Sequence, residues 1–140
     1  MNIREHMSTH PISVSPEDTI AVAARLLRRY NIGLLPVCTA DRRLRGVVTD
    51  RDIVLRCIAL DIDPQKTKVR DVMSDHVIAV SPETDSLKAM SLMGQEQIRR
   101  LPVCEQGKLV GMISLGDFAQ TYSMEASEAL TNISSDTQKR

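Results

Sequence analysis

Apolar residues fall in short runs separated by charged turns, and the order of runs occurs twice along the chain. Ile12, Ser13 and Val14 predict a brief strand. Ser15-Pro16-Glu17 then predicts a helix start, with serine as the N-cap and proline in the first turn. From Ala21 to Tyr30 the spacing is helical, with Leu26 and Leu27 inward and Arg25, Arg28 and Arg29 outward. The apolar run from Leu34 to Cys38 is a strand, Asp41-Arg42-Arg43 a turn, and Val47 and Val48 lie on a second strand. Thr49 caps a further helix directed towards Leu60, and Pro64 marks a linker.

The same order returns further on. Met7-Ser8-Thr9-His10-Pro11-Ile12-Ser13-Val14-Ser15-Pro16-Glu17 reappears as Met73-Ser74-Asp75-His76-Val77-Ile78-Ala79-Val80-Ser81-Pro82-Glu83. Leu35-Pro36-Val37-Cys38 reappears as Leu101-Pro102-Val103-Cys104, again 66 residues on. Leu44-Arg45-Gly46-Val47-Val48-Thr49-Asp50-Arg51-Asp52 is answered by Leu109-Val110-Gly111-Met112-Ile113-Ser114-Leu115-Gly116-Asp117, now 65 on, so one residue is lost in the intervening turn. Ordered matches with a single indel in a loop identify an internal repeat.

The expected fold is therefore α/β, two β-α-β-β-α repeats packed by pseudo-twofold symmetry, because one half cannot cover both faces of its own small sheet. The expected divisions are 1–64, 65–123 and a tail at 124–140. That tail is read as adding a helical turn or two, with Ser134 to Arg140 disordered. Apolar helix faces around Leu26, Leu92 and Met93 point to a homodimer.

Composition excludes more than it assigns. Lys and Arg number 18, as do Asp and Glu, so bulk charge does not favour nucleic acid. Aromatic residues are 2% of the chain, which leaves no stacking platform for single strands. No apolar run reaches the roughly 20 residues of a membrane span, and no secretory signal opens the chain. Cys38, Cys57 and Cys104 lack CxxC spacing and read as reduced, cytoplasmic thiols. His10 and His76 take matching positions, with His6 nearby, and read as structural or solvated rather than as metal ligands.

The Pro-Val strands and the endings Gly46–Asp52 (GVVTDRD) and Gly111–Asp117 (GMISLGD) resemble the CBS (cystathionine beta-synthase) domain family. The likeness covers about residues 1 to 122 in two copies, and is greatest to short bacterial proteins made of one CBS pair (a Bateman module). The resemblance implies a regulatory sensor, not an enzyme, that binds an adenosyl ligand: AMP, ADP or ATP first, NAD(H) or S-adenosylmethionine as alternatives. It implies no required cofactor, with Mg2+ accompanying a triphosphate. A module that kept the fold for dimerisation and lost its ligand is the other reading.

Carried over residue by residue, the resemblance implies two pockets, each mixing the copies. One combines Val47, Thr49, Arg51 and Asp52 with Val77, Ile78, Ala79, Ile98, Arg99, Arg100 and Pro102. The second, weaker one combines Met112, Ser114, Gly116 and Asp117 with Pro11, Ile12, Ser13, Ile32, Gly33, Leu34 and Pro36. Its lack of arginines marks the first pocket as the phosphate-bearing one. The chemistry agrees, since a carboxylate such as Asp52 or Asp117 can accept from both hydroxyls of a ribose diol. A helix start beside Thr49 or Ser114 offers N–H groups to phosphate. The same residues also have the form of capping boxes, in which the acid reaches back to the cap. Strand alternation puts Arg99 and Arg100 on opposite faces, one towards the ligand and one in solvent. No nucleophile-base motif, HExxH or P-loop occurs.

Overall fold

A computed structural model of the chain describes residues 1–119 and 121–135. Its contacts divide into two compact units that do not follow the repeat boundaries. One is Ile12–Val77 with Gly107–Leu109. The other joins Met1–Pro11 to Ile78–Gln106 and the chain from Val110 on.

In the Ile12–Val77 unit, helix α1 (Ile20–Tyr30) is followed by an antiparallel hairpin of β2 (Leu34–Cys38) and β3 (Leu44–Thr49), in register Leu35 to Val48 and Pro36 to Val47. Ile20, Ala23 and Leu27 recur at helical spacing and are buried against Leu35, Val37 and Val48. The expected opening strand shrinks to one parallel bridge, Val14 to Val37. His10, at a positive φ of 55°, turns the chain just before it.

Helix α1 also starts later than Ser15-Pro16 suggests. Ser15 N–H donates to Asp18 Oδ2 at 2.9 Å, closing a turn, and Thr19 is the true cap, its hydroxyl accepting from Val22 N–H at 3.3 Å. The linker folds back on this start, with Ala21 and Ile20 N–H donating to the carbonyls of Pro64 and Thr67. The helix expected to run from Thr49 towards Leu60 is α-helical only over α2 (Asp50–Ile53), then widens into a π turn at Val54–Ile58. Ile53 and Cys57 face inward there, while Val54, Leu55 and Ile58 are exposed.

The second unit contains β1 (Ser8–Thr9), α3 (Ser86–Glu96), β4 (Arg100–Glu105), β5 (Lys108–Ser114), α4 (Leu115–Phe118) and α5 (Ser123–Ser134). Its strand order is β1-β5-β4. Ile3, Met90, Met93, Leu101, Ile113 and Phe118 are its fully buried large side chains. Met93 is thus core rather than surface, and Leu92 and Leu26 are half-buried, so the apolar faces expected there are not free.

The unit boundaries follow from an exchange of leader segments. Ser8 and Thr9 lie at the start of the first copy, yet pair with Met112 and Gly111 of the second. Ser74 lies at the start of the second copy, yet exchanges two 2.9 Å bonds with Val47 of the first. Glycine permits both approaches. A Cβ at Gly46 would stand 2.5 Å from the Ser74 carbonyl oxygen, and one at Gly111 would stand 2.7 Å from that of Ser8.

The tail is more ordered than expected. Helix α5 runs 12 residues and buries Ala126, Ala129 and Ile133. Of the stretch expected to be disordered, Ser134 to Arg140, Ser134 is helical and Ser135 forms a turn, and residues 136–140 lie outside the described residues. No helix among the described residues is long and apolar enough to cross a membrane.

Candidate ligand site

The repeated Thr/Ser-x-x-Asp segments are capping boxes. Thr49 Oγ1 accepts from Asp52 N–H and Asp52 Oδ2 accepts from Thr49 N–H, both at 3.0 Å. Ser114 and Asp117 form the same box, with Ser114 N–H donating to Asp117 Oδ2 at 2.8 Å. Each carboxylate has about four lone-pair positions, so the box leaves acceptor capacity on the other oxygen. Asp52 Oδ1 lies 4.0 Å from the Arg56 guanidinium and its side chain is 15% exposed. Asp117 is exposed. The α-helical stretch behind each box is four residues, continued in the first copy by the π turn at Val54–Ile58.

Asp50, which the sequence reading passed over, is the first helical residue, inside the box and directly after Thr49. Its N–H donates to the Gly33 carbonyl at 3.1 Å, and its Oδ1 accepts from Arg51 N–H at 2.8 Å. This acid offsets the unfavourable sign of the exposed Arg51 at a helix start. The second copy repeats the backbone contact, with Leu115 N–H donating to the Arg99 carbonyl at 2.8 Å. In both copies the segment before the Pro-Val strand therefore lies against its own copy's last helix.

That contact groups the site residues differently from the carry-over. A cavity of about 510 Å³ in the second unit is lined by Arg99 and Arg100 together with Ser114, Leu115 and Gly116, and by Ala119 and residues of α5. Arg99 and Arg100 thus share a cavity with Ser114, from which the carry-over separates them. Both arginines line it, contrary to strand alternation, because β4 begins only at Arg100 and Arg99 lies in the bend before it. Both are exposed, and among the described residues neither has a carboxylate partner within ion-pair distance. Among the described residues that line it, none is acidic. Gly116 adds no side chain where the first copy carries Arg51.

The remaining site residues divide between the units. Val47, Thr49, Arg51, Asp52 and Val77 belong to the Ile12–Val77 unit, and Ile78, Ala79, Ile98, Arg99, Arg100 and Pro102 to the other. Of the weaker set, Ile12, Ser13, Ile32 and Pro36 belong to the first unit, and Pro11, Met112, Ser114 and Asp117 to the second. Ile12 and Ile32 pack on the first core, Ile78 and Ile98 on the second. Pro36 and Pro102 are buried on their strands, each carbonyl accepting at 3.0 Å from the bridging valine, Val14 or Val80. Val47 and Met112 are half-buried on β3 and β5, and Ala79 is exposed. Ser13 meets a residue that motif reasoning missed, its hydroxyl lying 3.3 Å from Arg42 Nη1.

Burial pushes the Cys57 and Cys38 thiols up, which suits core side chains rather than nucleophiles. His6 packs its ring against Phe118 at 5.3 Å and Tyr122 at 6.1 Å. Among the described residues no three His, Cys, Asp or Glu side chains cluster as metal ligands.

A family model described as CBS domain matches residues 3–58 and 69–123. The CBS domain-containing protein YhcV of Bacillus subtilis is 43% identical over 135 residues, covering 95% of each chain. A crystal structure of Hypoxic Response Protein I, with two coordinated zinc ions, is 30% identical and aligns with a TM-score of 0.80 over 86% of this chain and 98% of that one. The CBS domain pair of protein MJ0100, in complex with 5-methylthioadenosine and S-adenosyl-L-methionine, shares the fold at 22% identity, with a TM-score of 0.76 over 88% of this chain and 96% of that one.

Proposed function

Since the chain belongs to the CBS domain family, we propose that it is a regulatory module that binds an adenine nucleotide, AMP, ADP or ATP, and acts through occupancy rather than turnover. The observation that carries this reading is the cavity lined by both Arg99 and Arg100 with no carboxylate among its described lining residues. Two arginines lining one cavity can each give a phosphate charge-assisted hydrogen bonds. Leu115, Ala126 and Leu130 supply an apolar wall of the kind an adenine ring can lie against. The Ile12–Val77 unit carries a separate ribose-binding candidate of its own, Asp52, its Oδ2 engaged in the capping box and its Oδ1 retaining acceptor capacity. A triphosphate would bring Mg2+ with it, and the protein supplies no metal ligand set of its own among the described residues.

Turnover is disfavoured by the same side chains. The repeated carboxylates serve as caps, and Cys38 and Cys57 are buried with their thiol pKa values raised. Self-association is the second part of the proposal, and its motive is the exposed apolar run Val54, Leu55, Ile58 and Leu60, from 46% to 62% exposed. A thermal-shift series with AMP, ADP, ATP, NAD(H) and S-adenosylmethionine tests the ligand class. A ligand at about 100 times its dissociation constant adds about 2.7 kcal/mol, a readable shift. Stabilisation by the nucleotides is expected. No shift with any of the five would leave the ligand-free dimerisation module as the better reading.

A further inference from the structure

We propose that α5 is the element that reads ligand occupancy in the Arg99–Arg100 cavity, a step that rests on the phosphate reading of that cavity. The matched repeat ends at residue 123, and α5 occupies Ser123–Ser134, so the repeat itself does not encode this wall. Ser123, Ala126, Ser127 and Leu130 line the cavity and fall at i, i+3, i+4 and i+7, one stripe of the helix. The stripe sets two hydroxyls and two apolar groups around the space where the arginines end. A phosphate held by Arg99 and Arg100 has Ser123 and Ser127 within the same cavity as further donors, and a base has Leu130.

Helix α5 packs on the core of its unit chiefly through small side chains, with its cavity-facing stripe left over for a ligand. Two of its three buried residues are alanines, and Tyr122 at its start gives no side-chain cap. The Gln97 amide donates to the Asn132 carbonyl at 3.3 Å. Gly94 on α3 allows close approach, since a Cβ there would lie 3.3 Å from the Asn132 side chain. Helix α5 therefore approaches α3 closely over small groups, and a ligand bridging it to β4 adds contacts on its cavity side. The first copy has no such helix, because its π turn runs into the linker, so occupancy of this cavity alone would be transmitted to the C-terminal segment.

Hydrogen exchange on the full chain, with and without saturating AMP, ATP or adenosine, tests this together with nucleotide affinity. Exchange across Ser123–Ser134 is expected to slow by about tenfold or more with AMP and ATP, the scale of one added charge-assisted contact. Adenosine is expected to protect it less. Ser127→Glu places a carboxylate beside the arginines and is expected to weaken AMP by about tenfold, whereas Met124→Glu, on the exposed side of the same helix, leaves affinity unchanged. If AMP binds and its affinity depends on Arg99 and Arg100, but α5 exchange and the Ser127→Glu affinity do not move, the role of α5 is overturned and the phosphate site stands. If neither nucleotide binds the wild-type chain, both are overturned.

Discussion

Replacing Gly46 by alanine tests the leader exchange that defines the two units. The new Cβ would stand 2.5 Å from the Ser74 carbonyl oxygen and 3.1 Å from the Met73 sulfur. Backbone cannot yield as a flexible side-chain end can, so the Met73-Ser74 leader must move off β3. The move strains both Val47–Ser74 hydrogen bonds, each 2.9 Å long and worth about 1 kcal/mol. Overpacking itself costs about 1–3 kcal/mol. Restricting the unfolded chain returns about 0.4–1 kcal/mol, the usual gain when glycine becomes alanine. The net loss is about 2–4 kcal/mol, which for a chain of this size lowers the melting temperature by roughly 6–16 °C. The control is Gly116→Ala, where the nearest atom, Ser114 Oγ, is 3.8 Å from the added carbon. Within α4 that change is expected to be neutral or stabilising by up to about 1 kcal/mol. Urea and thermal unfolding of both variants give the comparison. Equal stability of Gly46→Ala and Gly116→Ala would refute the leader contact as drawn.

Asp52→Ala removes the carboxylate half of a complete capping box and is expected to lower apo stability by about 1 kcal/mol, read by thermal melting. If Asp52 also anchors ribose, nucleotide affinity falls by roughly tenfold to a hundredfold in the same variant, whereas a purely capping role leaves intrinsic affinity alone. Val54→Asp with Ile58→Glu puts charge on side chains 54% and 53% exposed, so a dimer built on this face becomes a monomer in sedimentation while the fold is kept. Dimers that persist in the double variant would place the interface elsewhere.

Much of the fold was legible because its signals are local. The Pro-Val strands, the helical spacing from Ala21 to Tyr30 and the Thr49–Asp52 box each depend on residues a few positions apart. What failed was competition or distance. Ser15-Pro16 has every mark of a helix start, but Asp18 takes the Ser15 N–H and Thr19 takes over the cap. Helix α5 begins without a side-chain cap and hides only small residues over most of its length, so its periodicity is weak. The pairing of Ser8 with Met112 and of Ser74 with Val47 crosses the repeats, and nothing near those serines in sequence announces it. Gly46 and Gly111 were the available hint, since matching glycines inside strands mark close backbone approach. The site was read in its parts and not in its grouping. Arg99, Arg100 and Ser114 were all singled out, but that they line one cavity depends on a contact distant in sequence, marked by the bond from Leu115 N–H to the Arg99 carbonyl.

If Arg99 and Arg100 hold the phosphate of an adenine nucleotide, titration calorimetry of adenosine, AMP and ATP separates the wild-type chain from Arg99→Ala/Arg100→Ala. Wild-type affinity is expected to rise with each added phosphate and to fall steeply with salt, because both arginines are exposed. The double variant is expected to lose the phosphate preference while adenosine binding is spared. An unchanged preference for AMP and ATP over adenosine in the double variant would contradict that reading.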